Sequence, residues 1–301
     1  MARLSRQTRE NIKIGIFIAV VALLLTVYVV YPLNRSKELM GRENIDDFEQ
    51  DSVSQNDPTP FAEKGLVIDT VRIESDGLTN LACLYVAPVQ TASPARGTVI
   101  LIPDERQDRR ALVGLAARLA DTGFAVITYD QRASGLSTGQ FHGEGQLEAG
   151  DLEAVIGHFE LRGKIQHPLV VVGFSAGADA ALLARPEGRR IDDIVAANPY
   201  LSTDRMFDRL FDRHGTFWYP FRTGITWWWY NIRSGYAAPF RSRDNITAAT
   251  SRTILILPPE QINDAEVTRF KELSGGELLQ VQPGSSSEEE ILGSVLLLTS
   301  K

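Results

Sequence analysis

The sequence is poor in the two side chains that most often organise a reactive site. It has four histidines and one cysteine in 301 residues. The lone cysteine, Cys83, excludes an intrachain disulfide, and its place in an apolar run marks it as a small core residue. No histidine follows His214, so the last 87 residues of the chain hold no imidazole. A basic surplus is also missing. Asp and Glu number 38 against 31 Lys and Arg, for a net charge of −7, which argues against a nucleic-acid partner. No internal repeat is visible, and no residue pattern calls for a cofactor or a metal.

What is present begins with an apolar run, Ile14 to Leu33, that carries no charge and is bounded by Lys13 and Arg35. Twenty helical residues span roughly 30 Å, the hydrocarbon thickness of a bilayer. Tyr28 and Tyr31 lie near one end, where aromatic rings favour the interface. The run is longer than the apolar core of a signal peptide and does not end in Ala-x-Ala, so it reads as an uncleaved anchor. Residues 1–13 are then a basic N-terminal segment, 14–33 a single transmembrane helix, and the lipid bilayer a partner. Arg3, Arg6, Arg9 and Lys13 before the span slightly outnumber Arg35, Lys37 and Arg42 after it. This bias puts the N-terminus in the cytoplasm and the following domain on the non-cytoplasmic side.

Residues 34–65 are polar, with Asp-Pro-Thr-Pro at Asp57 to Pro60, and read as a tether. From residue 66 to 301 short apolar runs predict eight strands: Leu66–Glu74, Leu81–Ala87, Gly97–Ile102, Phe124–Tyr129, Leu169–Gly173, Ile194–Asn198, Thr253–Leu257 and Glu277–Val281. The first two form a hairpin through Ser75-Asp76-Gly77. Helical patterns then alternate with strands, at Asp108–Asp121, Glu148–Leu161, Ala176–Ala184, Asp264–Leu273 and Glu288–Thr299. This alternation predicts an α/β fold, a mostly parallel eight-stranded sheet with helices on both faces. Residues 199–250 break the pattern with all four tryptophans and a set of arginines, and read as a cap inserted between two strands. Its aromatics would line an apolar acyl pocket, form the cap's own core, or meet a bilayer.

Gly173-Phe174-Ser175-Ala176-Gly177 follows a run of valines and precedes a good helix former. Strand, sharp turn and helix in that order need small residues beside the serine, because the two backbones come close. Ser175 would then project at the C-terminal edge of the sheet, with the Ala176 amide aimed at a developing oxyanion.

Tyr129 to Gly139, YDQRASGLSTG, looks like the D-x-R-G-x-G-x-S loop after the fourth strand of many α/β hydrolases, and Asp151-Leu152-Glu153-Ala154-Val155-Ile156 like the helix that follows it. The chain over 66–301 thus resembles membrane-attached members of the α/β-hydrolase superfamily, in its serine-aminopeptidase-like group. The resemblance implies a Ser–acid–His triad and an ester, thioester or amide substrate, small or lipid-like and partly apolar.

The sequence departs from that pattern at three places. After the third strand, where relatives carry His-Gly, it has Pro103-Asp104-Glu105; Glu105 would offer the second oxyanion amide, but carboxylates oppose negative charge. The acid has three candidates, Glu260, Asp264 and Asp204, and Asp264 also fits a helix N-cap. The histidine expected after the eighth strand is replaced by Gly284-Ser285-Ser286-Ser287. A serine without a base is nearly inert near neutrality. His142 and His214 fall on the C-terminal side of the sheet and are the substitute candidates; His158 and His167 do not. Two expectations therefore stand: a serine hydrolase with an irregular triad, or a catalytically inactive α/β hydrolase kept as a membrane-attached binding module. A third is a lipid-headgroup binder using its Trp- and Arg-rich segment.

Overall fold

The computed structural model describes residues 6–40, 59–89, 95–104, 107–143, 145–185, 190–203, 205–206, 219–234, 251–273 and 279–300. In chain order these carry α1 (Arg6–Leu25), a π-helical turn (Thr26–Val30), α2 (Tyr31–Met40), α3 (Thr59–Glu63), β1 (Ile68–Glu74), β2 (Asn80–Val86) and β3 (Thr98–Ile102). A 3₁₀ turn (Arg109–Leu112), α4 (Val113–Asp121), β4 (Ala125–Tyr129), α5 (Gln146–Leu161), β5 (Leu169–Phe174), α6 (Ala176–Leu183) and β6 (Asp193–Ala197) follow. Then come α7 (Tyr219–Ser234), β7 (Arg252–Leu257), a 3₁₀ turn (Pro259–Gln261), α8 (Ala265–Leu273), β8 (Leu279–Pro283) and α9 (Glu288–Thr299). The predicted strands and sheet-domain helices recur within a few residues, and α9 has the predicted limits.

The eight strands form one sheet in the order β1-β2-β4-β3-β5-β6-β7-β8. Pairings β1–β2 and β2–β4 are antiparallel and the other five are parallel. Strands β3, β4 and β6 are buried along their whole length, as expected where helices cover both faces. Successive side chains alternate between those faces. Ile100 and Ile102 join a core with Leu152, Val155 and Phe159 of α5 and Val267 and Phe270 of α8. Val99 and Leu101 join the opposite core with Leu115 and Leu119 of α4 and Ile291 and Val295 of α9.

The β1–β2 turn is closed by Asp76, whose Oδ1 accepts from the amides of Leu78 and Thr79. The loop after β4 is fixed by buried charge. Asp130 accepts from the amides of Arg109 and Leu136, and Arg109 also pairs with its carboxylate. Arg132 grips both carboxylate oxygens of Asp151 on α5, at 2.7 and 2.6 Å. The motif resembling D-x-R-G-x-G-x-S is thus a brace that ties β4 to its neighbours.

The chain divides into two compact units. The sheet and its helices make one. In the other, α1, the π turn and α2 run as one continuous helix from Arg6 to Met40, and α7 packs against α2. Residues 6–34 of that helix are long and apolar enough to cross a membrane, and none of its apolar window is buried. Two expectations shift here. The start of the tether is helical as far as Met40, and Thr59–Glu63 forms a short helix whose Phe61 is buried in the sheet domain's core. The aromatic helix α7, expected as part of a cap, is grouped with the N-terminal helix. Trp218 lies outside the described residues.

Candidate active site

β5 ends at Phe174 and α6 starts at Ala176, leaving Ser175 as the single turning residue. Its φ of 48° and ψ of −117° are costly for a residue with a Cβ, by about 1–3 kcal/mol. The neighbouring sequence absorbs that geometry. A Cβ on Gly173 would strike the Gly177 carbonyl, and one on Gly177 would sit 2.7 Å from Ile102 Cγ2 and 2.8 Å from the Pro103 oxygen. The two glycines flanking the serine are therefore required by close packing of strand, helix and the end of β3. The Ser175 amide donates to the Ala197 carbonyl of β6 at 3.0 Å. Asp179, fully buried on α6, accepts from the amides of Tyr200 and Leu201 and holds the loop after β6 in place.

The Ser175 hydroxyl donates to Asp104 Oδ2 at 2.6 Å. Strand register brings the two together. Ile102 pairs with Gly173 in the parallel β3–β5 ladder, and two further residues along each strand lie Asp104 and Ser175. Gln131 steadies the Asp104 backbone by donating from Nε2 to the Pro103 carbonyl at 2.5 Å. A hydroxyl bonded to a carboxylate is a short, charge-assisted pair.

The loop after β8 forms the third wall. The Gly284 amide donates to the Leu257 carbonyl at 3.0 Å, and Ser286 takes a φ of 60°. Glu290, in the first turn of α9, accepts from the amides of Ser285 and Ser287 at 3.0 and 3.1 Å. The Ser287 hydroxyl accepts from the Glu290 amide, completing a capping box. These backbone amides hold the Glu290 carboxyl below its ordinary range, that of Ser287 first.

Between the walls lies a cavity of about 370 Å³. Its polar lining includes Asp104, Gln107, Ser175, Asn198, Ser286 and Glu288; its apolar lining includes Leu112, Leu115 and Phe174. Ser285 and Ser286 thus face the same space as Ser175, and Ser286 is one of the two positions, with Ser287, where the resemblance implied a histidine. Among the described residues, neither an imidazole nor a Lys or Arg lines this cavity.

The other expected site residues are dispersed. Ala176 is the buried first residue of α6. His142 is buried in the β4–α5 loop, with Nε2 3.5 Å from Ser134 Oγ and Nδ1 4.0 Å from Glu148 Oε1, and does not line the cavity. Asp264 directly precedes α8, 3.8 Å from Arg205 Nε. Glu260 is exposed in the turn Pro259–Gln261. Neither carboxylate lines the cavity. His158 packs edge-on against Phe159, and His167 pairs with Asp192 before β5. Glu105, Asp204 and His214 lie outside the described residues. The residue missed as a partner for the serine is Asp104. The sequence marked it as a carboxylate opposing an oxyanion; the signal for its contact is the adjacency of β3 and β5.

A mostly parallel eight-stranded sheet with a serine on a strained turn after β5 defines an α/β-hydrolase fold. The family described as "Serine aminopeptidase, S33" matches residues 93–247, just over half of the chain, and the chain belongs to that family. An esterase of Pyrococcus furiosus superposes with a TM-score of 0.62 at 19% identity, over 81% of this chain and 95% of its own. A proline iminopeptidase of Mycobacterium smegmatis gives 0.54 at 16% identity, over 77% and 98%. A membrane phospholipase A described as a bacterial virulence factor gives 0.52 at 14% identity, over 98% and 100%. At these identities the likeness is one of fold. No curated protein matches the sequence.

Proposed function

We propose that this is a membrane-attached serine hydrolase in which Ser175 is the nucleophile and Asp104 receives its proton. The observation that carries this reading is the 2.6 Å hydrogen bond from Ser175 Oγ to Asp104 Oδ2. In the reaction, Oγ bonds to an acyl carbon as its proton passes to Asp104. The tetrahedral oxyanion meets the amide of Ala176 at the positive end of α6. Asp104 returns the proton to the leaving oxygen, sulfur or nitrogen, and water then hydrolyses the acyl-serine by the same route in reverse. A carboxylate is a weaker base than an imidazole near neutrality, so turnover is slow compared with a histidine triad. The fold neighbours are named as an esterase, a phospholipase and an iminopeptidase, which supports acyl hydrolysis as the class of reaction and leaves the bond type open.

Asp104 and Glu288 line the cavity with no cation among the described lining residues, which disfavours an anionic acyl group. The substrate is therefore neutral or cationic, with an apolar part against Leu112, Leu115 and Phe174. The test is hydrolysis of matched neutral, cationic and anionic esters by the full chain in detergent. Turnover of the first two, lost in Ser175→Ala, supports the reading; no turnover by folded wild type counts against it.

Among the described residues no imidazole lines the cavity, which favours a second reading, an inactive hydrolase fold that binds a ligand at the same place. It predicts that Ser175→Ala leaves cellular function intact at equal abundance.

The apolar helix, residues 6–34, supports attachment through a single span. By the basic residues around it, the sheet domain faces the non-cytoplasmic side.

A further inference from the structure

The second compact unit carries an exposed aromatic helix face. Helix α7 packs against α2, the continuation of the apolar N-terminal helix. Each helix has a buried stripe, Pro32 and Ser36 on α2 and Thr226 and Tyr230 on α7. On α7 the opposite stripe, Gly224, Trp228 and Ile232, lies outward at i, i+4 and i+8. Trp228 is 54% exposed and Ile232 52%, with the Trp229 ring edge-on to Trp228 at 5.0 Å. A large aromatic and a large aliphatic left exposed side by side need a non-aqueous partner.

The axis of α2 indicates which partner. The candidate span ends at Asn34 and the helix runs on to Met40. Those six residues rise about 9 Å, comparable with the roughly 5–8 Å headgroup layer of one leaflet. A helix packed against α2, whose buried Pro32 and Ser36 lie on either side of Asn34, sits at the depth where Trp partitions best, with one side apolar and the other wet. We infer that α7 is an interfacial helix, seated in the headgroup boundary of the bilayer that the N-terminal helix spans, with Trp228 and Ile232 turned to lipid. The inference rests on the single-span reading above. It assigns the aromatic segment to membrane seating.

The experiment is lipid quenching of tryptophan in the full chain, reconstituted in vesicles of phosphatidylcholine and phosphatidylglycerol. Trp218→Phe, Trp227→Phe and Trp229→Phe together leave Trp228 as the sole indole. Its emission should be quenched roughly twofold more by lipid brominated near the headgroup than by lipid brominated near the chain ends, and be shielded from aqueous acrylamide. If the triple variant does not fold, wild type supplies the same reading, because Trp228→Phe should remove most of the shallow-lipid quenching. Flotation of the vesicles after an alkaline wash separates the two ideas. Protein that floats while Trp228 stays open to acrylamide and blind to brominated lipid overturns the interfacial helix and leaves the span standing. Protein that does not float overturns the span and the inference with it.

Discussion

Ser175 and Asp104 lie 71 positions apart in sequence, and their contact follows from one pairing register in the sheet. The motif around Ser175 was legible because it is local: valines, two glycines and a helix former in fixed order. Asp104 was not, because nothing in the sequence states that β3 lies next to β5 while β4 lies on its other side. The same register makes Gly177 sensitive. In Gly177→Ala the new Cβ meets Ile102 and the Pro103 carbonyl, so the variant should lose about 1–3 kcal/mol in chemical denaturation. It should also lose activity beyond that, because relief requires the Pro103–Asp104 segment to move. Wild-type stability and activity in that variant would contradict the packing account.

At the scale of elements, the loop after β8 and the first turn of α9 act as one piece, tied by Glu290. The triple-glutamate start of α9 was legible as a helix N-terminus from charge alone. That its third carboxylate turns back to hold Ser285 and Ser287 depends on the loop's path and was not. The Glu290 carboxyl is held below its ordinary value, so what it adds to stability is present above the unfolded-state value. That contribution is lost as pH falls through the lower folded value. Thermal melts of wild type and Glu290→Gln should therefore differ near neutrality and converge under acid; a difference that grows as pH falls would refute the assignment. The Arg132–Asp151 brace gives a larger effect. Both side chains are buried, and burial, the leading influence on Asp151, pushes its carboxyl upward despite the arginine. Asp151→Asn leaves the buried Arg132 with only the Asp76 carboxylate, at 3.2 Å, as a paired counter-charge and should cost about 3–5 kcal/mol in urea unfolding.

At the scale of the whole molecule, the eight strands and their helices were legible because each buried strand is a dense aliphatic run and helical patterns alternate with the strands. The division into two units was less so. A tryptophan-rich insertion reads equally well as a pocket wall or a membrane element until its packing partner is known, and that partner, α2, lies far away in sequence. The single-span account makes a direct topological prediction. In sealed cells stripped of their outer layers, protease added outside should digest the sheet domain, while protease confined to the cytoplasmic side should not. The opposite pattern would reverse the orientation.

On the proposed mechanism Ser175 reacts and Asp104 assists it. That mechanism is tested most directly by exposing the folded full chain to a fluorophosphonate and locating the adduct by mass spectrometry. The account predicts an adduct on Ser175, absent in Ser175→Ala, and formed at least about a hundredfold more slowly in Asp104→Asn with its fold unchanged. Folded wild type that gives no adduct, or an Asp104→Asn variant that reacts as fast as wild type, would contradict it.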